Sequence, residues 1–496
     1  MKTKKLLYIL PLAVLVACEP EFDDVEFNGG SADFTRTVAV GNSLTAGFQS
    51  GALRRDKQEV SFPAMIAQQL QKVGGGDFKQ PLLADGVGVG STGNAEFGIF
   101  IKADCQGTVG PSPGPIASAG QLDQFASSVG AAGPYNNVGV PGAKSFHVVA
   151  PGYGNPVNIQ AGLGNPYYGR FANPLDFDET MLGAAVRANP TFFTLFIGSN
   201  DVLSYATSGG SGVDQTGNTD VLTYGSNDIT DPNAFAAVYS QIVTALTANG
   251  AKGAVATIPD VTSIPFFTTV PIGTDAVSQA QADQLNSALA YGAYNAGLDQ
   301  VAADTSNPFT KAFTQQMADA RKISFTAGQI NTFVVMDPSL TDLTVVNPAL
   351  VSMRQIRPGE LLTLTTPGDS IRCAQWGTAK PIAPQFHLTS DEIKSIGDAV
   401  ASYNSTIKSI ANANGLAFVD ANARLKELAT TGIVESGVAF SDAFISGGAF
   451  SLDGVHPATR GYAIIANDFI DAINSTYGAN VPKLDVASYP AFEIVQ

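Results

Sequence analysis

The chain has 496 residues, 45% of them hydrophobic and 14% charged, with a formal net charge of −16. The hydrophobic fraction excludes a wholly disordered chain. Acidic residues outnumber basic ones 43 to 27, and no Lys/Arg run follows the first five residues, which excludes a basic nucleic-acid-binding surface. Length alone would allow two or three domains. The 51 Gly and 28 Pro exceed average usage and predict long, turn-rich connections.

At the N-terminus Lys2, Lys4 and Lys5 precede an apolar run over residues 6–17. The run is too short to span a bilayer and suits the apolar stretch of a signal peptide, so residues 1–17 are expected to lie outside the fold. It ends Leu15-Val16-Ala17-Cys18, which resembles the lipobox of bacterial lipoproteins. The resemblance implies cleavage before Cys18, a diacylglyceryl thioether on Cys18 and an acylated new N-terminus, together a firm membrane anchor. Loss of the three lysines takes the formal charge from −16 to −19. Residues 18–32 then form an acidic tether with Glu19, Glu21, Asp23, Asp24 and Glu26, read as solvated. Acids directly behind the lipid-bearing Cys also resemble the surface-export signals of some Gram-negative lipoproteins. The expected location is the bacterial cell envelope, anchored by lipid in the outer membrane and facing outward.

Four short runs read as buried strands: 35–40, 191–197, 254–258 and 416–419, each β-branched, aromatic or apolar and bounded by Gly or Pro. Helical patterns lie between them. One covers 276–301. Another covers 390–413, with Thr389 or Ser390 as N-cap and acids in its first turn. The last places Tyr462, Ile465, Ala466, Phe469, Ile470 and Ile473 on one stripe. Strands alternating with helices predict an α/β fold with a parallel sheet covered by helices on both faces. Residues 73–135, 203–232 and 303–385 fit no regular element. They read as insertions at the carboxyl ends of the strands, where α/β sites lie. Cys105 and Cys373 either pair, as an oxidising envelope would allow, or stay as buried free thiols.

A nucleophilic serine needs a sharp turn after a strand, a histidine base with an orienting acid, and donors aimed at an oxyanion. Gly41-Asn42-Ser43-Leu44 follows the first strand, and Asp453-Gly454-Val455-His456-Pro457 precedes the last helix. An acid three residues before a His can hold Nδ1–H and leave Nε2 for the serine. The other histidines, His147 and His387, read as structural. Together with Asn137-Val138-Gly139-Val140-Pro141-Gly142 and Gly198-Ser199-Asn200-Asp201, these segments resemble, in order, the four motifs of the SGNH hydrolases, the GDSL-type esterase/lipase family. The resemblance implies a three-layer α/β/α, flavodoxin-like catalytic domain over residues 33–478 with large insertions, followed by a tail at 479–496. It implies Ser43 as nucleophile, His456 as base and Asp453 as its orienter. It also implies an oxyanion hole from the Ser43 N–H, the Gly142 N–H and the Asn200 side chain. Gly139 competes for the second motif's role, though spacing favours Gly142. Asp201 reads as a brace for its loop. Asn42 stands where the family has Asp, and the stretches between motifs are longer than in compact members.

The resulting expectation is a lipid-anchored serine ester hydrolase that works through an acyl-enzyme. A carbohydrate O-acetyl esterase using the same residues and a non-catalytic surface-binding lipoprotein are the alternatives. No cofactor and no metal are expected, since no Cys/His cluster or HExxH motif occurs and Gly86-x-Gly88-x-Gly90 follows no strong strand. The expected partners are a small-molecule, lipid or glycan ester and, through Cys18, the membrane.

Overall fold

The computed structural model describes residues 26–86, 88–90, 96–116, 125, 127–306 and 308–490. Residues 1–17, expected to form a signal segment, Cys18, expected to carry the lipid, the acids at 19–24 and position 87 of the glycine run lie outside the described residues.

Five strands form one parallel sheet: β1 (Thr37–Gly41), β2 (Asn137–Gly139), β3 (Phe192–Phe196), β4 (Lys252–Ala256) and β5 (Ala417–Val419). Their order is β5-β4-β3-β1-β2, and every pairing is parallel. β1 and β3 are buried along their whole length. A strand covered on both faces reads as an unbroken apolar run rather than an alternation, which is why both stand out in the sequence. β2 is the strand that the sequence reading lacks. It has three residues, and its Asn and Gly are poor strand formers, so pairing with β1 holds it.

The helices that position the site are α1 (Ser43–Ala46), α2 (Phe62–Gln71), α3 (Met181–Arg187), α4 (Asn200–Thr207), α5 (Pro232–Thr247), α6 (Ser390–Ala413), α7 (Ala421–Thr430) and α8 (Thr459–Tyr477). α8 packs on α2 and β5, with Phe62 stacked on Phe469 at 5.1 Å. α5 packs on α3 and α6, with Phe235 stacked on Tyr403 at 4.2 Å. Thr389 is the N-cap of α6, closed by a capping box with Glu392. α8 buries more than one stripe, because residues 481–486 cover its other side. Asn467 donates to the Leu484 carbonyl at 3.0 Å and accepts from the Leu484 N–H at 2.8 Å.

The stretch 276–301 forms two helices, Gln279–Asn286 and Tyr291–Ala303, rather than one. Between them, Ser287 takes up local backbone bonds from Leu289 and Ala290, and the Asn286 side chain pairs with the Phe325 backbone in both directions. Side chains that bond locally in this way compete with helix continuation. The apolar faces of these helices do not join the sheet's core. Tyr294 and Leu298 pack with Phe325, Leu343 and Leu350 in a separate cluster, so the segment that packs apart from the main core begins near Val277 rather than at 303. Further along it, the buried Arg354 guanidinium bridges Asp337 at 2.6 Å and Glu360 at 2.7 Å. Within 73–135, the antiparallel hairpin Phe97–Ala103/Val109–Pro115 forms, and α4 already occupies the start of 203–232. Cys105, at the hairpin turn, is disulfide-bonded to Cys373, which settles the open alternative in favour of pairing. Among the described residues no helix is long and apolar enough to cross a membrane.

Candidate active site

The chain leaves β1 to one side, toward β2, and later returns to its other side as β3. Where strand order reverses in this way, a crevice opens outside the carboxyl ends of the two strands. Ser43 comes two residues after β1 and Asn200 four residues after β3.

Asn42 answers the departure seen in the first motif. Its side-chain carbonyl accepts the Leu44 N–H at 3.0 Å and caps α1. Capping needs an oxygen acceptor, which Asn and Asp both supply. The turn presents Ser43, and the Ser43 Oγ lies 2.9 Å from His456 Nε2, across 413 positions of chain. On the other side of the ring, His456 Nδ1 lies 2.8 Å from Asp453 Oδ2. An ionised carboxylate can only accept, so Nδ1 carries the proton and Nε2 is the acceptor for the serine hydroxyl.

Asp453 is itself fully occupied. Oδ1 accepts the Val455 and His456 N–H groups, each at 2.9 Å, and the Ser451 hydroxyl at 3.1 Å. Oδ2 also accepts the Gly51 N–H at 2.8 Å. Burial alone would raise the carboxyl, but the His456 charge and these donors outweigh it and hold Asp453 down at about 2. The acid therefore stays ionised and keeps the imidazole in one tautomer. The loop is tied from outside as well: the Ser50 N–H donates to Ser451 Oγ at 2.8 Å, and the Phe266 N–H to the Gly454 carbonyl at 2.9 Å. The Phe48 ring packs 4.7 Å from the imidazole. Sequence reasoning missed Gly51, Ser451 and Phe48. Ser451, two residues from the acid, carried a local signal, whereas Gly51 and Phe48 reach the site only through folding.

The second motif divides its glycines by role. Gly139 sits in β2, where an added Cβ would come within 2.4 Å of the Ala46 backbone nitrogen, so it permits α1 to press against the strand. Gly142 turns at φ +80, a left-handed conformation natural to glycine. Among the described residues, the Gly142 and Ser43 N–H groups donate to no protein acceptor. Asn200 spends one amide hydrogen on the Ala143 carbonyl at 2.9 Å, which fixes its orientation and leaves the second for a ligand. Asp201 is buried and clamps the same loop: it accepts the Ser145 hydroxyl at 2.6 Å and the Ser145 N–H at 2.8 Å. Burial pushes its carboxyl up, against the Ser145 bonds and the neighbouring Lys144 charge. Lys144, also buried, donates to the Asp228 carbonyl at 2.6 Å and ties in the 203–232 segment.

The other two histidines serve elsewhere. His147 Nδ1 accepts the Lys144 N–H at 3.1 Å, and its ring stacks on Tyr153 at 4.4 Å. Burial, helped by Lys144, drops it to about 3, so it stays neutral. His387 is buried against Glu360 at 3.2 Å. Beside Ser43 and His456 opens a cavity of about 140 Å³, walled mainly by apolar side chains of α7, α8 and the 433–455 segment. The arrangement thus holds a hydroxyl against an imidazole nitrogen, an ionised acid behind the ring, and uncommitted donors on neighbouring loops. Compared with protein-family models, curated proteins and solved structures, the chain matches none.

Proposed function

We propose that the protein is a serine carboxylic ester hydrolase of the SGNH, GDSL-type esterase/lipase class, with a flavodoxin-like three-layer domain anchored in the bacterial envelope through lipid on Cys18. The observation that carries the reading is the continuous relay from Ser43 Oγ to His456 Nε2 at 2.9 Å and from Nδ1 to Asp453 at 2.8 Å. In this reading Ser43 Oγ attacks the ester carbonyl carbon while His456 Nε2 takes its proton. The carbonyl oxygen becomes an oxyanion that the Ser43 and Gly142 N–H groups and the free Asn200 amide hydrogen stabilise. His456 then returns the proton to the leaving alkoxide, the alcohol departs, and the acyl group remains on Ser43. Water, deprotonated by His456, attacks the acyl-enzyme and releases the acid.

Purified protein is tested on p-nitrophenyl acetate, butyrate and longer esters beside Ser43→Ala. Turnover by the wild type and none by the variant is the expected result. Equal rates on every chain length would sink both the esterase reading and the O-acetyl esterase alternative, and leave a binding lipoprotein. Covalent labelling by a fluorophosphonate is expected to disappear in Ser43→Ala; labelling that persists would assign the nucleophile elsewhere.

A further inference from the structure

We infer that the cavity beside Ser43 binds the acyl group of the substrate and is sized for a chain of about six carbons, with the Arg424–Asp468 ion pair as its floor. The inference deepens the proposed function and rests on it. Ser43 and His456 line the cavity, so an acyl group bonded to Ser43 Oγ has direct access to it. Gly461, Ile464, Ile465 and Asp468 also line it, and their spacing of 3, 1 and 3 makes them one stripe of α8. At a rise of 1.5 Å per residue the stripe is roughly 10 Å long. Leu425 and Leu428 of α7 face the same space.

At about 140 Å³, the cavity is close to the roughly 150 Å³ engineered apolar cavity that holds one benzene. That volume accommodates about six carbons, more than an acetyl group and less than a fatty acyl chain. At the C-terminal end of the α8 stripe Arg424 Nε lies 3.5 Å from Asp468 Oδ1, and the guanidinium also pairs with Glu427 at 2.8 Å and with Glu435. Burial pushes the Asp468 carboxyl up to about 7, so the Arg424 guanidinium is the firm charge here, and a methyl group driven against it would strip partners from a cation, which is strongly unfavourable. The apolar walls reward chain growth, and the ionic floor ends it.

The test is the chain-length series of p-nitrophenyl esters from acetate to dodecanoate. Each methylene moved from water into the cavity is worth roughly fourfold. The expected kcat/KM therefore rises by up to about 200-fold from acetate to hexanoate, then falls at least tenfold by dodecanoate. Ile465→Trp fills the cavity and is expected to collapse the hexanoate-to-acetate ratio toward one, whereas Asp468→Ala removes part of the floor and raises the octanoate-to-hexanoate ratio. A flat or steadily rising series, with Ser43-dependent acetate turnover intact, would overturn the inference and leave the esterase reading standing. Should no ester turn over through Ser43, the esterase reading fails, and the cavity is judged by calorimetric binding of 1-hexanol. Saturable binding to the wild type that Ile465→Trp abolishes would sustain the cavity, and no binding would end it.

Discussion

The two sides of the candidate site are held in different ways. Ser43, Gly142 and Asn200 lie just past the ends of three adjacent strands of the sheet, the first and last opening helices and Gly142 in a turn, so the packed core fixes their spacing. Asp453 and His456 belong to a loop outside any strand or helix. That loop is held by bonds from remote segments: the Gly51 and Ser50 N–H groups, and Phe266 at the root of the large insertion. Gly454 shows the dependence directly. It turns at φ +69, and an added Cβ would come within 2.8 Å of Leu364 in that insertion. The nucleophile side is therefore as stable as the sheet, while the acid–base side is only as well placed as the segments docked against it.

Substitutions can break this contrast, beginning with the largest expected effect. Ser43→Ala removes the nucleophile from an intact scaffold, and kcat on an activated ester is expected to fall about a million-fold with no change in thermal unfolding temperature. Asp453→Asn acts on the docked side. It keeps the shape of the acid but lets the imidazole take the wrong tautomer, for an expected loss of about ten-thousand-fold in kcat. A loss under tenfold would mean that the remote donors to the loop, rather than the carboxylate charge, orient His456. Asn200→Ala returns to the sheet side, where removal of one oxyanion donor is expected to cost about 100- to 1,000-fold in kcat with KM nearly unchanged. A rise in KM alone would make Asn200 a binding group instead.

The last two outcomes concern stability rather than rate. Cys105→Ser with Cys373→Ser unties the hairpin from the large insertion and is expected to lower stability by about 2–4 kcal/mol, measured by urea unfolding. If the sheet side is independent of the insertions, fluorophosphonate labelling of Ser43 in the folded variant is expected to persist. The smallest effect is the acid limb of Asp453. Its carboxyl is held near 2 against an ordinary 3.8, so the His456 charge and the hydrogen bonds around it together contribute about 2 kcal/mol. A lowered acid pKa stabilises the fold above the unfolded value, so this contribution is whole above pH 4 and fades as pH falls toward 2. Stability–pH curves of the wild type and Asp453→Asn should converge across that window; parallel curves would refute the local account.

The two strands buried along their whole length were legible as unbroken apolar runs, and the start of α6 was narrowed to Thr389 or Ser390, of which the capping box with Glu392 selects Thr389. β2 was not, since Asn137 and Gly139 become strand residues only through their pairing with β1. The division of 276–301 into two helices was hidden as well, because the bond that turns Asn286 away comes from Phe325.

By itself the sequence determined the parallel α/β class, Ser43, His456 and Asp453 as one candidate set, and the acidic balance of the chain. These depend on residue type and short spacing, which a single strand of text records. Tertiary structure decided the rest. It chose Gly142 over Gly139 as the turn with an uncommitted N–H, paired Cys105 with Cys373, brought Gly51 to Asp453, and hollowed a cavity between α7 and α8. Each of these joins atoms from segments far apart in the chain, and no local spacing encodes such a meeting until the core has closed around it.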